Sequence, residues 1–105
     1  MQIVHYLTDA GKDVFQSWLD ALPDLKGRVA VLRRIDRLAL GHLGDQKYLR
    51  DGVRELRIDF GPGYRIYFAM EARSLVLLLC GGSKKDQSAD IDRAVLYLND
   101  YRRRR

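Results

Sequence analysis

Gly52-Val53-Arg54-Glu55-Leu56-Arg57-Ile58-Asp59-Phe60-Gly61-Pro62-Gly63-Tyr64-Arg65-Ile66-Tyr67-Phe68 is the stretch that decides the architecture of this chain of 105 residues. From Val53 to Phe60 the residue types alternate. Leu56, Ile58 and Phe60 share one face, and Glu55, Arg57 and Asp59 share the other. That is the period of a strand with one face in a core. Gly61-Pro62-Gly63 combines glycines that tolerate positive φ with a proline of fixed φ, which makes a turn. Alternation then resumes, with Tyr64, Ile66, Phe68 and Met70 pointing one way and Arg65, Tyr67 and Ala69 the other. Two such runs around a short turn predict an antiparallel hairpin.

Working outward, Ala72-Arg73-Ser74 is the next turn, and Leu75 to Cys80 is apolar on both faces. The latter predicts a central strand covered on both sides. Gly81-Gly82-Ser83 ends it, and Asp86 to Tyr101 reads as a final helix burying Ile91, Ala94, Val95 and Leu98. Upstream of the hairpin, Gln2 to Leu7 alternates as a strand, and Thr8 is placed to cap a helix. Phe15, Trp18, Leu19 and Leu22 follow at the spacing of one helical face. Pro23 ends that helix and opens the next at its first turn. Leu25, Val29, Leu32, Ile35 and Ala39 read as the buried stripe of this second helix, with Lys26, Arg33, Arg34 and Arg37 opposite and Gly41 and Gly44 stopping it. The expected order is β-α-α-β-β-β-α, with room for a short extra strand near Tyr48. This is an α+β domain in which a helical hairpin and a C-terminal helix pack on a mostly antiparallel sheet. Residues 1–101 make the domain, and the arginines of residues 102–105 make a solvated basic tail.

The formal net charge is +5, from 19 Lys+Arg against 14 Asp+Glu, and that tail supplies most of it. The bulk charge therefore points to a polyanion only weakly. Hydrophobic residues make up 47% of the chain, enough to bury a core. One cysteine excludes an internal disulfide framework and a Cys-based zinc site. Met1 to Leu7 has neither the basic start nor the long apolar run of a secretory leader, and the run Leu75 to Cys80 is too short to cross a bilayer. The expected location is the cytoplasm, with no membrane partner. There is no P-loop and no dinucleotide fingerprint. His5 and His42 lie far apart, the serines have no adjacent histidine, and Cys80 reads as a core thiol. No metal and no cofactor are expected.

One constellation stands out. In the expected hairpin Arg57 and Arg65 leave the same face of adjacent strands, and Tyr67 joins them. Lys84 and Lys85 lie just beyond the central strand. Arginine grips phosphate bidentately, lysine acts as a point charge, and tyrosine stacks on a base. The same pattern also suits a solvated sheet face, with Arg57 balanced by neighbours such as Glu55 or Asp59.

At these residues the sequence resembles a known group. The block from Gly52 to Phe68, followed by Leu77-Leu78-Leu79-Cys80-Gly81-Gly82-Ser83-Lys84-Lys85-Asp86-Gln87, is similar to the RelE/ParE toxin superfamily, and within it to the addiction-module killer proteins of HigB type. The similarity extends over nearly the whole chain. It implies a RelE-like domain and a microbial toxin held by a cognate antitoxin, often a helix-turn-helix repressor, with operator DNA bound only through that complex. Relatives mostly enter the ribosomal A site and cut mRNA; a minority poison DNA gyrase. The resemblance puts a phosphate-stabilising arginine at Arg65, a basic strand residue at Arg57 and a further cation at Lys84 or Lys85. Metal-independent cleavage uses the RNA's own 2′-OH, and needs a proton acceptor, cations for the developing charge and a donor to the leaving oxygen. The expected catalytic set is Arg65, Lys84, Lys85, Tyr67 and Asp86. The expected RNA-binding set is Arg57, Arg65, Lys84, Lys85 and Arg54. Many relatives carry a Tyr or His near the start of the last helix, where this chain has Asp86-Gln87-Ser88-Ala89-Asp90. That departure leaves open a gyrase inhibitor, or a degenerate toxin acting only in autoregulation.

Overall fold

In the computed structural model, which describes residues 1–105, the expected hairpin lies within a single five-stranded sheet. The strands are β1 (Gln2–His5), β2 (Gln46–Arg50), β3 (Val53–Ile58), β4 (Tyr64–Glu71) and β5 (Leu75–Ser83), in spatial order β1-β5-β4-β3-β2. β3 and β4 are antiparallel, with Leu56 opposite Ile66 and Arg57 opposite Arg65. β1 adds to β5 in parallel, and every other pairing is antiparallel. The helices are α1 (Val14–Ala21), α2 (Leu25–Ala39) and α3 (Gln87–Arg103), the last preceded by a single 3-10 turn at Lys84–Asp86. The radius of gyration is 12.7 Å, close to the ~13 Å expected of one domain this long.

β5 is the central strand its composition predicted, lying between β1 and β4 and buried from Val76 to Gly82. Its residues feed two cores. Val76 and Leu78 join Leu56, Ile58, Ile66 and Phe68 beneath Phe15, Leu19 and Leu22 of α1 and Val31 and Leu38 of α2. Leu77 and Leu79 join Val53, Tyr67 and Ala69 beneath Ala94 and Leu98 of α3. The sheet is thus sandwiched, with two helices on one face and one on the other. Each fully buried leucine contributes roughly 2 kcal/mol to that burial.

Two glycines let the layers close. A Cβ at Gly81 would run into the indole of Trp18 in α1, and a Cβ at Gly82 would run into the Asp90 carboxylate in α3. Asp51 and Gly52, at φ 53° and 88°, make the tight turn between β2 and β3, the conformation that two-residue hairpins demand.

Four expectations are corrected. Thr8 does not cap α1. Its hydroxyl accepts from the Lys12 amide in a local turn, and Asp13 is the cap, accepting from the Gln16 amide at 3.0 Å. Pro23 does not open α2, because Asp24 is its cap and accepts from the Lys26 amide at 3.0 Å. The buried face of α2 is Gly27, Val31 and Leu38, whereas Leu25, Val29 and Leu32 are exposed. Gly27 sits there because the Tyr64 ring lies 2.8 Å from where a Cβ would be. Finally, the arginines past Tyr101 are part of the fold. α3 runs through Arg103, Arg102 and Arg105 both pair with the buried Glu71 at 2.7 Å, and Arg104 pairs with Asp100 at 2.7 Å.

Candidate functional site

A cleft of about 360 Å³ opens where the β3–β4 turn meets the end of β5. It is built by register. Arg57 and Arg65 are directly opposed across β3 and β4, and Arg65 faces Gly82 of β5 on its other side. Beyond the strand, the Lys84 amide donates to the Gly63 carbonyl at 2.9 Å. That bond draws the end of β5 against the hairpin turn and puts Lys84 on the cleft wall. Gly63, at φ 78°, supplies the left-handed geometry needed there.

Two arginines directly opposite on one face repel. Each is given its own carboxylate. Arg57, on the outer side, donates through Nε and Nη2 to Asp45 Oδ1 at 3.1 and 2.8 Å. Arg65, on the inner side, donates through Nη1 to Glu55 Oε1 at 2.8 Å. The two pairs differ in kind. Asp45 and Arg57 are open to solvent, whereas the Glu55 side chain is only 1% exposed and that of Arg65 12%. Gln87, in the first turn of α3, donates from Nε2 to the same Glu55 oxygen at 2.8 Å. Glu55 is therefore a buried brace that fixes one edge of the Arg65 guanidinium and ties it to α3. The remaining N–H groups of Arg65 have no partner within the protein and belong to the cleft.

The wall of the cleft carries the cations Arg57, Arg65 and Lys84 and the carboxylates Asp45 and Asp59. With Glu55 behind Arg65, the site is close to neutral overall, with its positive groups placed at fixed points. Lys84 and Asp59 are the two cleft-lining charges with no ion-pair partner. Such an arrangement can hold a phosphate between Arg65 and Lys84 and offers Asp59 as a nearby proton acceptor.

Not every expected residue is here. Lys85 and Asp86 are exposed on the 3-10 turn and do not line the cleft, and the Asp86 side chain makes no capping bond to α3. Arg54 alternates onto the opposite sheet face from Arg57, where it reaches Gln46 Oε1 at 3.1 Å and stacks over the Tyr48 ring. Tyr67 shares the face of Arg65 but has no exposed surface, because α3 covers it. A ring so enclosed cannot stack on a base. Its hydroxyl is buried without a hydrogen-bond partner, and its pKa is raised, chiefly by burial and then by the nearby Glu55 and Asp90 carboxylates. Asp90 is itself buried beside Gly82, and burial is the main cause that raises its pKa.

Sequence reasoning did not single out Asp45 or Gln87, and it treated Glu55 and Asp59 only as charge balance. Glu55 had one signal: it lies between Val53 and Arg57 on one face of its strand, and Val53 is a core-type residue. Asp45 and Gln87 had none, since only the fold brings them to the hairpin.

The family model for the phage-derived protein Gp49-like (DUF891) matches residues 17–99, a span that contains every residue of this cleft. The chain belongs to the phage-derived Gp49-like family. That family is of the RelE/Gp49 toxin type, which makes the toxin of a toxin–antitoxin pair the function that membership suggests and a cognate antitoxin the partner it suggests. An uncharacterized protein of Haemophilus influenzae is 48% identical over 82 residues, covering 78% of this chain and 83% of that protein. The Gp49-like chain has no helix long and apolar enough to cross a membrane.

Proposed function

We propose that this Gp49-like chain is the toxin of a type II pair and cuts mRNA on the ribosome without a metal, as the resemblance to HigB-type proteins implies. The observation that carries this reading is the convergence of Arg57, Arg65 and Lys84 on one cleft at the end of the hairpin. Arg65, braced by Glu55, holds the scissile phosphate and stabilises the charge that develops on it. Lys84, free of any carboxylate, adds a second cation and donates toward the leaving 5′-oxygen. Asp59, on the cleft wall without an ion-pair partner, replaces Tyr67 and Asp86 as the candidate acceptor of the 2′-OH proton. Arg57 contacts the flanking backbone, and Asp45 limits how far it extends. The ribosome contributes by holding the mRNA extended across a small and nearly neutral site, so that positioning substitutes for electrostatic pull.

The test is transcript mapping in a translating extract with the wild type and Lys84→Ala. Lys84 is exposed, so the variant folds. Cleavage by the wild type and a loss of about a hundredfold in the variant are expected. Intact transcripts together with inhibited DNA gyrase would establish the second reading, for which the absence of any exposed Tyr or His in the cleft speaks.

A further inference from the structure

The apolar stripe that the sequence assigns to the core of α2 faces outward. Leu25, Val29 and Leu32 are 66%, 39% and 47% exposed. Their i, i+4, i+7 spacing makes one continuous strip about 10 Å long. It is not a flat scatter of leucines. With Ala30 and with Phe60 at the hairpin turn, Leu25 and Val29 wall a groove of about 430 Å³. Lys26 and Arg33 rim it.

Lys26 and Arg33, and Arg37 one turn further on, have no carboxylate within 4.0 Å, whereas Arg50, Arg57, Arg65, Arg93 and Arg102 to Arg105 are each matched by one. An apolar groove between unmatched cations complements a helix that is apolar on one face and acidic along its borders. A second copy of this chain is a poor match. A two-fold contact through this face would set Lys26 and Arg33 of one copy against the same residues of the other.

We propose that the α2 groove is the docking site for an acidic amphipathic helix of the partner protein, seated on Leu25, Val29, Leu32 and Phe60 and flanked by Lys26 and Arg33. The source of that helix rests on the antitoxin reading above. The groove lies on the opposite sheet face from the cleft, but Phe60 in the groove directly follows Asp59 in the cleft. A partner anchored on α2 therefore needs only to round the turn at Gly61 to Gly63 to reach Arg65.

The experiment is co-expression with the product of the adjacent reading frame, followed by hydrogen exchange on the complex and by titration of variants. Protection over residues 25–40 and at Phe60 is expected. Val29→Asp and Leu32→Asp, at exposed positions that leave the fold intact, should each weaken binding by about tenfold or more. Lys26→Glu with Arg33→Glu should weaken it as well, with a penalty that shrinks at high salt. A complex that protects only the cleft or α3, with the variants binding as the wild type does, would overturn this placement and leave the toxin–antitoxin reading standing. No complex at all would overturn both. A wild type that is dimeric alone, and monomeric as Leu32→Asp, would assign the groove to a second copy and refute the proposal.

Discussion

Arg65 is asked to do two things at once. Its guanidinium faces the cleft, and it also neutralises Glu55, a carboxylate with almost no access to water. Removing one member of a buried pair leaves the other charged and unpaired, which costs about 3–5 kcal/mol. Arg65→Ala is therefore expected to lower stability by roughly 3 kcal/mol as well as to abolish cleavage. Loss of activity in that variant alone would not separate chemistry from folding. Arg65→Gln combined with Glu55→Gln removes both charges and keeps amides that can bond each other and Gln87. The double variant should recover most of the lost stability in urea denaturation while remaining inactive. If it regained activity, Arg65 would not be the phosphate ligand. Tyr67 shows the opposite situation: it was attractive in the sequence because it shares a face with Arg65, but a face is not the same as a surface. Alternation tells which way a side chain points, and only the packing of α3, many residues later, decides whether anything can reach it.

At the scale of elements, the close approaches at Gly81 and Gly82 join helices on both sides to one strand. Gly81→Ala drives a methyl group into the Trp18 indole, which is wedged against Phe15 and Tyr64 and has little room to move. A loss of about 1–3 kcal/mol is expected, read as a lower thermal midpoint. Unchanged stability would mean that α1 rides freely over β5. β1, β3 and β4 were legible because each alternates, and β5 because it is apolar on both faces, while β2 showed only as room for a short strand near Tyr48. The inner face of α1 and that of α3 were legible for the same reason. α2 was not. It carries two apolar stripes, Leu25-Val29-Leu32 and Val31-Ile35-Leu38, and hydropathy does not say which one the sheet takes. The deciding residue is Gly27, which is silent in any hydrophobic pattern and matters only because Tyr64 lies across it. The cap of α1 had a readable signal: Asp13 with Gln16 three residues later fits a capping pattern that Thr8 lacks. At the cleft, Arg57, Arg65 and Lys84 were legible from strand register, while their supports came from Asp45 and Gln87, which sequence distance hides.

Across the whole molecule, buried acids that ionise only at high pH set the alkaline limit. Burial, and then the neighbouring Asp90, pushes the Cys80 thiol from 9.0 up to about 12. Burial and the 2.6 Å hydrogen bond to Asp100 push the Tyr6 phenol from 10.0 up to about 12. As pH rises, the unfolded chain sheds these protons first and the native state keeps them. Stability then falls with pH, because the unfolded state binds fewer protons. The contribution of these two groups should be level below about pH 9 and decline from there through about pH 12. Cys80→Ala should delay the onset of that decline to about pH 10, as followed by urea midpoints at stepped pH. An onset that stays at pH 9 in the variant would place the responsible group elsewhere.

The parallel pairing of β1 with β5 also bears on how such a protein is made. Gln2 pairs with Leu75 and Tyr6 bonds Asp100, so the first strand waits for residues synthesised much later. The cleft waits too, since Lys84 closes its wall and Gln87 holds the brace on Arg65. Long-range pairings of this kind form slowly and late. The cleft of a nascent chain is therefore complete only after Lys84 and Gln87 have been made and have closed on the hairpin.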